Sequence, residues 1–327
     1  MLATWKPTPL ENIQAWMMGI HTSSRRANSR LIKYWSTLTA GYFNNPKGYI
    51  MGGNTGATTA VIEDLTFSTE ASVAIAATLD AAKQLGTGVN SSAKGYIMGG
   101  TTGSSTAVIE DLTFSTETSV AISATLDTAK FGGAGVNSST KGYIMGGFIS
   151  GNTAVIEDLT FATDASVAIA ATLDTAKNYG TGVNSSAKGY IMGGNTGAVT
   201  AVIEDLTFAT DASVAIAATL DTAKDLGTGV NSSSKGYIMG GNASTAVIED
   251  LTFATEASVA ISATLDTAKY GGSGVNSSAK GYIMGGNTGA VTAVIEDLTF
   301  ATDASVAIAA TLDTAKNYGT GVQSGSL

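Results

Sequence analysis

The phrase Lys-Gly-Tyr-Ile-Met-Gly-Gly begins at Lys47, Lys94, Lys141, Lys188, Lys235 and Lys280. Four of the intervals are 47 residues and the last is 45, the short copy losing two residues in the loop after Gly241. A unit of this size cannot bury its apolar face alone, so six copies must stack on one another. The question is whether the stack closes or runs on.

Four short strands are expected in each copy. In the first they are Gly48–Met51, Ala60–Phe67, Ser72–Leu79 and roughly Thr87–Ser91, separated by the turn-forming stretches Gly52-Gly53, Asn54-Thr55-Gly56, Ser68–Ala71 and Asn90–Lys94. The third strand alternates, with Val73, Ile75, Ala77 and Leu79 on one face and Ser72, Ala74, Ala76 and Thr78 on the other. Neither face carries a charge, whereas a sheet with one wet face would. Bulky side chains of one sheet would then fill space over the alanines of the next. The expected fold is all-β, a six-bladed β-propeller of four-stranded blades; the alternative is an elongated β-solenoid. Inner-strand phrases recur around Gly88, Gly135, Gly182, Gly229, Gly274 and Gly321, and Thr39-Ala40-Gly41-Tyr42-Phe43 is a degenerate seventh. The copy near Gly321 keeps the repeat wording, so the C-terminal strand is expected to close blade one.

Composition changes near residue 46. All three Trp, all three Pro and His21 precede it; there, five basic residues face one acid, a net of +4. The remainder holds 12 Lys and 25 acids, a net of −13. Residues 1–46 therefore read as an N-terminal anchor or docking segment, and 47–327 as the propeller. Thr8-Pro9-Leu10-Glu11 has the form of a helix start, followed by Leu10, Ile13, Met17 and Ile20 at helical spacing. A short, partly helical extension is expected, with Trp5, Trp16, Met17, Arg25, Arg26, Arg30 and Trp35 as its anchoring residues. It would dock on a larger protein assembly or on the propeller itself. The first residues lack the pattern of a secretory signal, and no stretch reaches the roughly 18–20 apolar residues of a membrane-spanning helix.

The chain has no Cys and only one His, which excludes thiol chemistry, Cys-based zinc sites and a Ser–His–Asp triad within the repeats. Glu63-Asp64 recurs in every copy, but neighbours on a strand point to opposite faces and cannot act as one acid–base pair. Sixfold recurrence suits structural pairing with the repeat lysines, or turn-holding, better than catalysis. No cofactor or metal is expected, and no enzyme activity. Asn-Ser-Ser at Asn90, Asn137, Asn184, Asn231 and Asn276 matches a glycosylation sequon but reads as turn chemistry.

The copies differ in two places. One follows the double glycine and includes Phe148; the other follows the third strand and includes Phe131, Asn178, Tyr179, Asp225, Tyr270, Asn317 and Tyr318. In an antiparallel blade both places fall on one end of the propeller, which makes these residues the candidate binding rim.

The repeat resembles the kelch motif, also found in galactose-oxidase-like propellers. Tyr49-Ile50-Met51-Gly52-Gly53 resembles the kelch strand ending in a double glycine, Ala60–Phe67 the following strand, Ser72–Leu79 the outer strand, and Thr87–Ser91 the inner strand of the next blade. The kelch tryptophan is missing, with Val73 or Ala74 near its place. The resemblance implies that the variable end is the ligand face. Near-identical repeats behind an anchor-like segment also resemble, in style, a phage tail-fibre or virion-surface protein. The expected function is a non-enzymatic adhesion module, attached to a particle and presenting its rim to host glycan or protein. A virion surface or tail would be its location, nucleic acid is not an expected partner, and homo-oligomerisation fits. The alternative is a free-standing kelch-like scaffold in the cytoplasm.

Overall fold

In the first repeat Lys47–Met51 pairs antiparallel with Val61–Thr66, and Val61–Thr66 with Ala71–Thr78. The strand that follows, Thr87–Asn90, does not join this sheet. It becomes the innermost strand of the next one, beside Lys94–Met98. The same offset in every repeat gives six four-stranded antiparallel sheets, a six-bladed β-propeller. The computed structural model describes residues 46–242 and 244–325. The propeller unit is Pro46–Leu327, and the N-terminal helix start, the Trp and Arg anchor residues and the Gly41 phrase lie outside the described residues. Strand ends differ from those expected by one residue.

The ring closes with the C-terminal strand. Thr320–Gln323 takes the innermost place of blade one, with Tyr49 opposite Val322 and Met51 opposite Thr320. Contacts between residues about 270 positions apart thus complete the first blade.

The register sorts the second and third strands of a blade onto two faces. Tyr49 stands opposite Asp64 and Met51 opposite Ile62, while Ile50 stands opposite Glu63. The first face, joined by Leu79 and Val322, packs on Ile97, Leu112 and Phe114 of blade two. The second, with Ile50 and Leu65, packs on Val275, Tyr282 and Met284 of blade six. Each blade is thus buried on both sides, which is why its second strand is apolar without alternation. Gly48 is small for the same reason, since a Cβ there would stand 2.4 Å from Val275 of the neighbouring blade. Gly52 and Gly53 turn the chain with φ of 65° and 116°, values that side chains resist.

An aromatic stack marks every interface. Tyr49 lies against Phe114 with centroids 5.6 Å apart, and Phe67 against Tyr282 closes the series at 5.4 Å. Such pairs contribute about 0.5–1.5 kcal/mol each beyond their burial.

The expected alternation of the outer strand needs correction. Its register shifts between Val61 and Glu63, so two extra residues of the outer strand bulge opposite Ile62. The half-buried positions change phase there. Ile75 packs on the core of its interface, but Val73 is 53 % exposed. A bulge re-aims an outer strand in this way.

Glu63 and Asp64 point to opposite faces and take different lysines. Asp64 pairs with Lys47 at 2.5 Å, and Lys47 also reaches Glu117 of the next blade at 2.6 Å. Glu63 pairs with Lys316 of the previous blade, and the equivalent pair at the next interface is Lys83 with Glu110. Six such Lys–Glu pairs, at 2.5–2.7 Å, encircle the propeller with side chains no more than 2 % exposed. The second oxygen of Glu110 accepts the Asp80 N–H at 2.6 Å, and the Asp80 carboxylate accepts the N–H of Ala121 on the next outer strand at 3.0 Å. The recurring acids therefore tie blades together.

Removing one partner of a buried pair strands the other's charge, at a cost of about 3–5 kcal/mol. Lys83→Met should lower stability by about that amount in denaturant titration, and Lys83→Met/Glu110→Gln should recover much of it because the Gln still accepts the Asp80 N–H. Equal losses in the single and double variants would contradict the pairing. Deleting residues 320–327 should replace one cooperative unfolding transition by a broad or multiphasic one, because blade one loses its inner strand.

Candidate ligand-binding face

The two variable places of each copy are directly paired. Gln84 forms a β-bridge with Thr101, Phe131 with Phe148, Asn178 with Asn195, Tyr270 with Asn287, and Asn317 with Asn54. At the remaining blade the Asn242 N–H donates to the Asp225 carbonyl at 2.8 Å. One end of the propeller thus carries six pairs of variable residues on an otherwise repetitive frame.

Just inside these pairs runs a closed ring of backbone hydrogen bonds. The N–H of Leu85 donates to Tyr318 O, Gly132 to Leu85, Tyr179 to Gly132, Leu226 to Tyr179, Gly271 to Leu226 and Tyr318 to Gly271, all at 2.7–2.9 Å. All six residues have φ between 54° and 64°, so four side chains are held in a left-handed conformation that L-residues resist, with the ring's hydrogen bonds holding them there. The two glycines have a second role. A Cβ on Gly132 would fall 2.7 Å from the Tyr179 ring, and one on Gly271 would fall 2.6 Å from the Tyr318 ring. Each tyrosine therefore lies over the glycine of the preceding blade.

The predicted rim residues separate into groups. Phe131 stacks at a tilt on Phe148 (5.4 Å) and on Tyr179 (6.3 Å); together with Asn152, Asn178 and Asn195 they line a depression of about 380 Å³. Tyr270 and Tyr318 form a second tilted pair, 6.3 Å apart. Asn178 and Asn317 are 5 % and 4 % exposed, and the side-chain oxygen of each is buried without a hydrogen-bond partner. Asp225 is buried, and burial pushes its carboxyl up, opposed by hydrogen bonds from Asn195 and Asn242. Asn152 was missed from sequence; its side chain donates to the Asn195 carbonyl at 2.8 Å. The seven predicted anchor residues lie outside the described residues.

The rest of the ring offers less chemistry. The central channel, about 160 Å³, is lined by Gly, Thr, Ser and Ala, and Thr87 Oγ1 donates to the Gly133 carbonyl of the next blade at 2.9 Å. At the opposite end the Asn-Ser-Ser phrases are turns, with Ser91 Oγ accepting the Lys94 N–H at 3.0 Å. Among the described residues no cluster of three or more His, Cys, Asp or Glu is placed to hold a metal ion.

No family model matches the chain, and no curated protein is significantly similar to it. What is established is the class, a six-bladed β-propeller.

The tyrosines make the ring sensitive to alkali. Burial, and then the Glu256 charge, pushes the Tyr190 phenol up to about 12; burial and the neighbouring Tyr270 push Tyr318 up to about 12. An unfolded tyrosine titrates near 10. The stability tied to these groups is fully present below about pH 10 and is lost as pH rises through about 12. Tyrosinate absorbance should therefore appear late, together with the loss of β-structure. Full titration of all tyrosines near pH 10 with the fold intact would contradict this.

Proposed function

We propose that this chain is a non-enzymatic adhesion module that holds a sugar ligand on its variable face and is attached to a larger assembly through residues 1–46. One observation carries the reading. Variation among near-identical blades is concentrated in residues paired across one end of the propeller, where aromatic rings and a buried, unpartnered amide oxygen surround a depression. Binding residues placed on loops of a rigid scaffold have this distribution, and a few polar groups among aromatic walls are the make-up of a small-ligand site. A kelch-like ligand face and a virion-surface or tail location fit the same reading, with the basic anchor joined to a particle.

The test is a glycan array probed with the full-length chain and with Phe131→Ala/Phe148→Ala. The parent should bind a restricted set of glycans. The variant should lose about tenfold or more in affinity, as central aromatic contacts do, with little change in unfolding temperature. Binding unaffected by the variant, or capture of a protein partner alone, would contradict the reading; the latter would favour a free-standing interaction scaffold. For the anchor, light scattering should show assembly of the full-length chain but not of residues 47–327.

A further inference from the structure

The six positions of the backbone ring read Leu85, Gly132, Tyr179, Leu226, Gly271, Tyr318. This is Leu-Gly-Tyr written twice, so each residue recurs three blades on, half a turn around a six-bladed ring. The residues just before them keep the same period in polar or aromatic character. Gln84 corresponds to Asp225, Phe131 to Tyr270, and Asn178 to Asn317. The short blade follows suit: its Ala-Ile-Ser-Ala outer strand matches the copy three blades earlier, where Ser123 corresponds to Ser262. After the third strand the wording thus repeats every three blades; after the double glycine it does not, since Phe148 stands where the copy three blades on has Asn287.

Geometry agrees with the wording. Phe131 and Tyr179 meet at 6.3 Å and 43°, and Tyr270 and Tyr318 at 6.3 Å and 48°. In both places the tyrosine covers a glycine of the ring, and beside it stands a buried Asn whose oxygen has no partner. A buried side-chain oxygen at this position is equally unpartnered in Gln84 and Asp225, so the aromatic pair is what sets these two places apart.

We propose that the face carries two related sugar stations, half a turn apart, and that each seats one uncharged pyranose ring. This rests on the sugar-binding reading above. At each station the apolar face of the sugar lies on the aromatic pair, with the amide of Asn178 or Asn317 beside it. Among the described residues no Lys, Arg or His lines the depression at the first station, and the acid Asp225 lies beside it, so an anionic sugar is disfavoured. The first station is the more enclosed, because Phe148 and Asn152 wall it where the second has Asn287. Two stations on one rigid ring suit a polysaccharide chain that crosses the mouth and engages both, which raises avidity without further contacts.

The experiment counts bound sugars on the full-length chain by native mass spectrometry. The probes are short linear oligosaccharides of glucose, galactose, mannose and N-acetylglucosamine. The parent should bind up to two copies of at least one probe. Tyr179→Leu and Tyr318→Leu borrow the residue that the ring itself uses at Leu85 and Leu226, so the backbone ring persists. Each should reduce the count to one, and the double variant to none, with the unfolding temperature unchanged. Tyr179→Gly and Tyr318→Gly, which copy the ring's own Gly132 and Gly271, should give the same counts. A maximum of one sugar, lost in Tyr179→Leu and indifferent to Tyr318→Leu, would overturn the two-station inference while leaving a sugar-binding face. No binding of any probe, or binding indifferent to both substitutions, would overturn the stations together with the sugar reading.

Discussion

The contact on which this propeller depends is the buried Lys–Glu pair between neighbouring blades. Lys83 leaves the chain after one outer strand and reaches Glu110 inside the next sheet, where both side chains are removed from water. Charges so placed are tolerable only with their partner present. Asp80 and its hydrogen bonds to Glu110 and Ala121 fix the outer edge of the same interface. Because each blade supplies the lysine on one side and the glutamate on the other, no blade is complete until the ring is. The strand exchange at Thr320–Gln323 and the pair Lys316–Glu63 are the last instances of the rule used everywhere else.

The same rule accounts for the repetition in the sequence. A blade must fit a neighbour on each face, so a change to Tyr49, Met51 or Ile62 must be matched by Ile97, Leu112 and Phe114 across the interface. The variable end of the propeller is freer of that demand. There the backbone ring from Leu85 to Tyr318 secures the turns through main-chain atoms, which leaves the side chains open to vary. A frame built from repeated interfaces thereby carries a face that need not repeat.

Much of the architecture was legible in the sequence. Six copies of Lys-Gly-Tyr-Ile-Met-Gly-Gly gave the blade count, the charge-free outer strand implied face-to-face packing, and the repeat wording near Gly321 identified the closing strand. Glu63 and Asp64 pointed to opposite faces as strand geometry requires. The Lys83–Glu110 pair was not legible in detail, because it joins different blades through a residue outside any strand. The bulge that exposes Val73 depends on register, which alternation alone does not reveal. At the variable face the residues were found but their pairing was not, since Phe131 and Phe148 meet only through a bridge between irregular segments. The left-handed ring had a signal that was missed: Gly132 and Gly271 occupy positions where other copies have Leu or Tyr. A glycine in some copies marks a backbone that all of them share.

On the proposed function, the interfaces make the fold and the variable face makes the specificity. A chain in which Gln84, Phe131, Asp225 and Tyr270 are all replaced by Asn, as at Asn178 and Asn317, separates the two. Its thermal unfolding and its glycan binding would be measured beside those of the parent. The expected result is a cooperative transition within a few degrees of the parent's and loss of the sugar binding proposed for the parent. A chain that fails to fold, or one that folds and binds the same glycans, would contradict it.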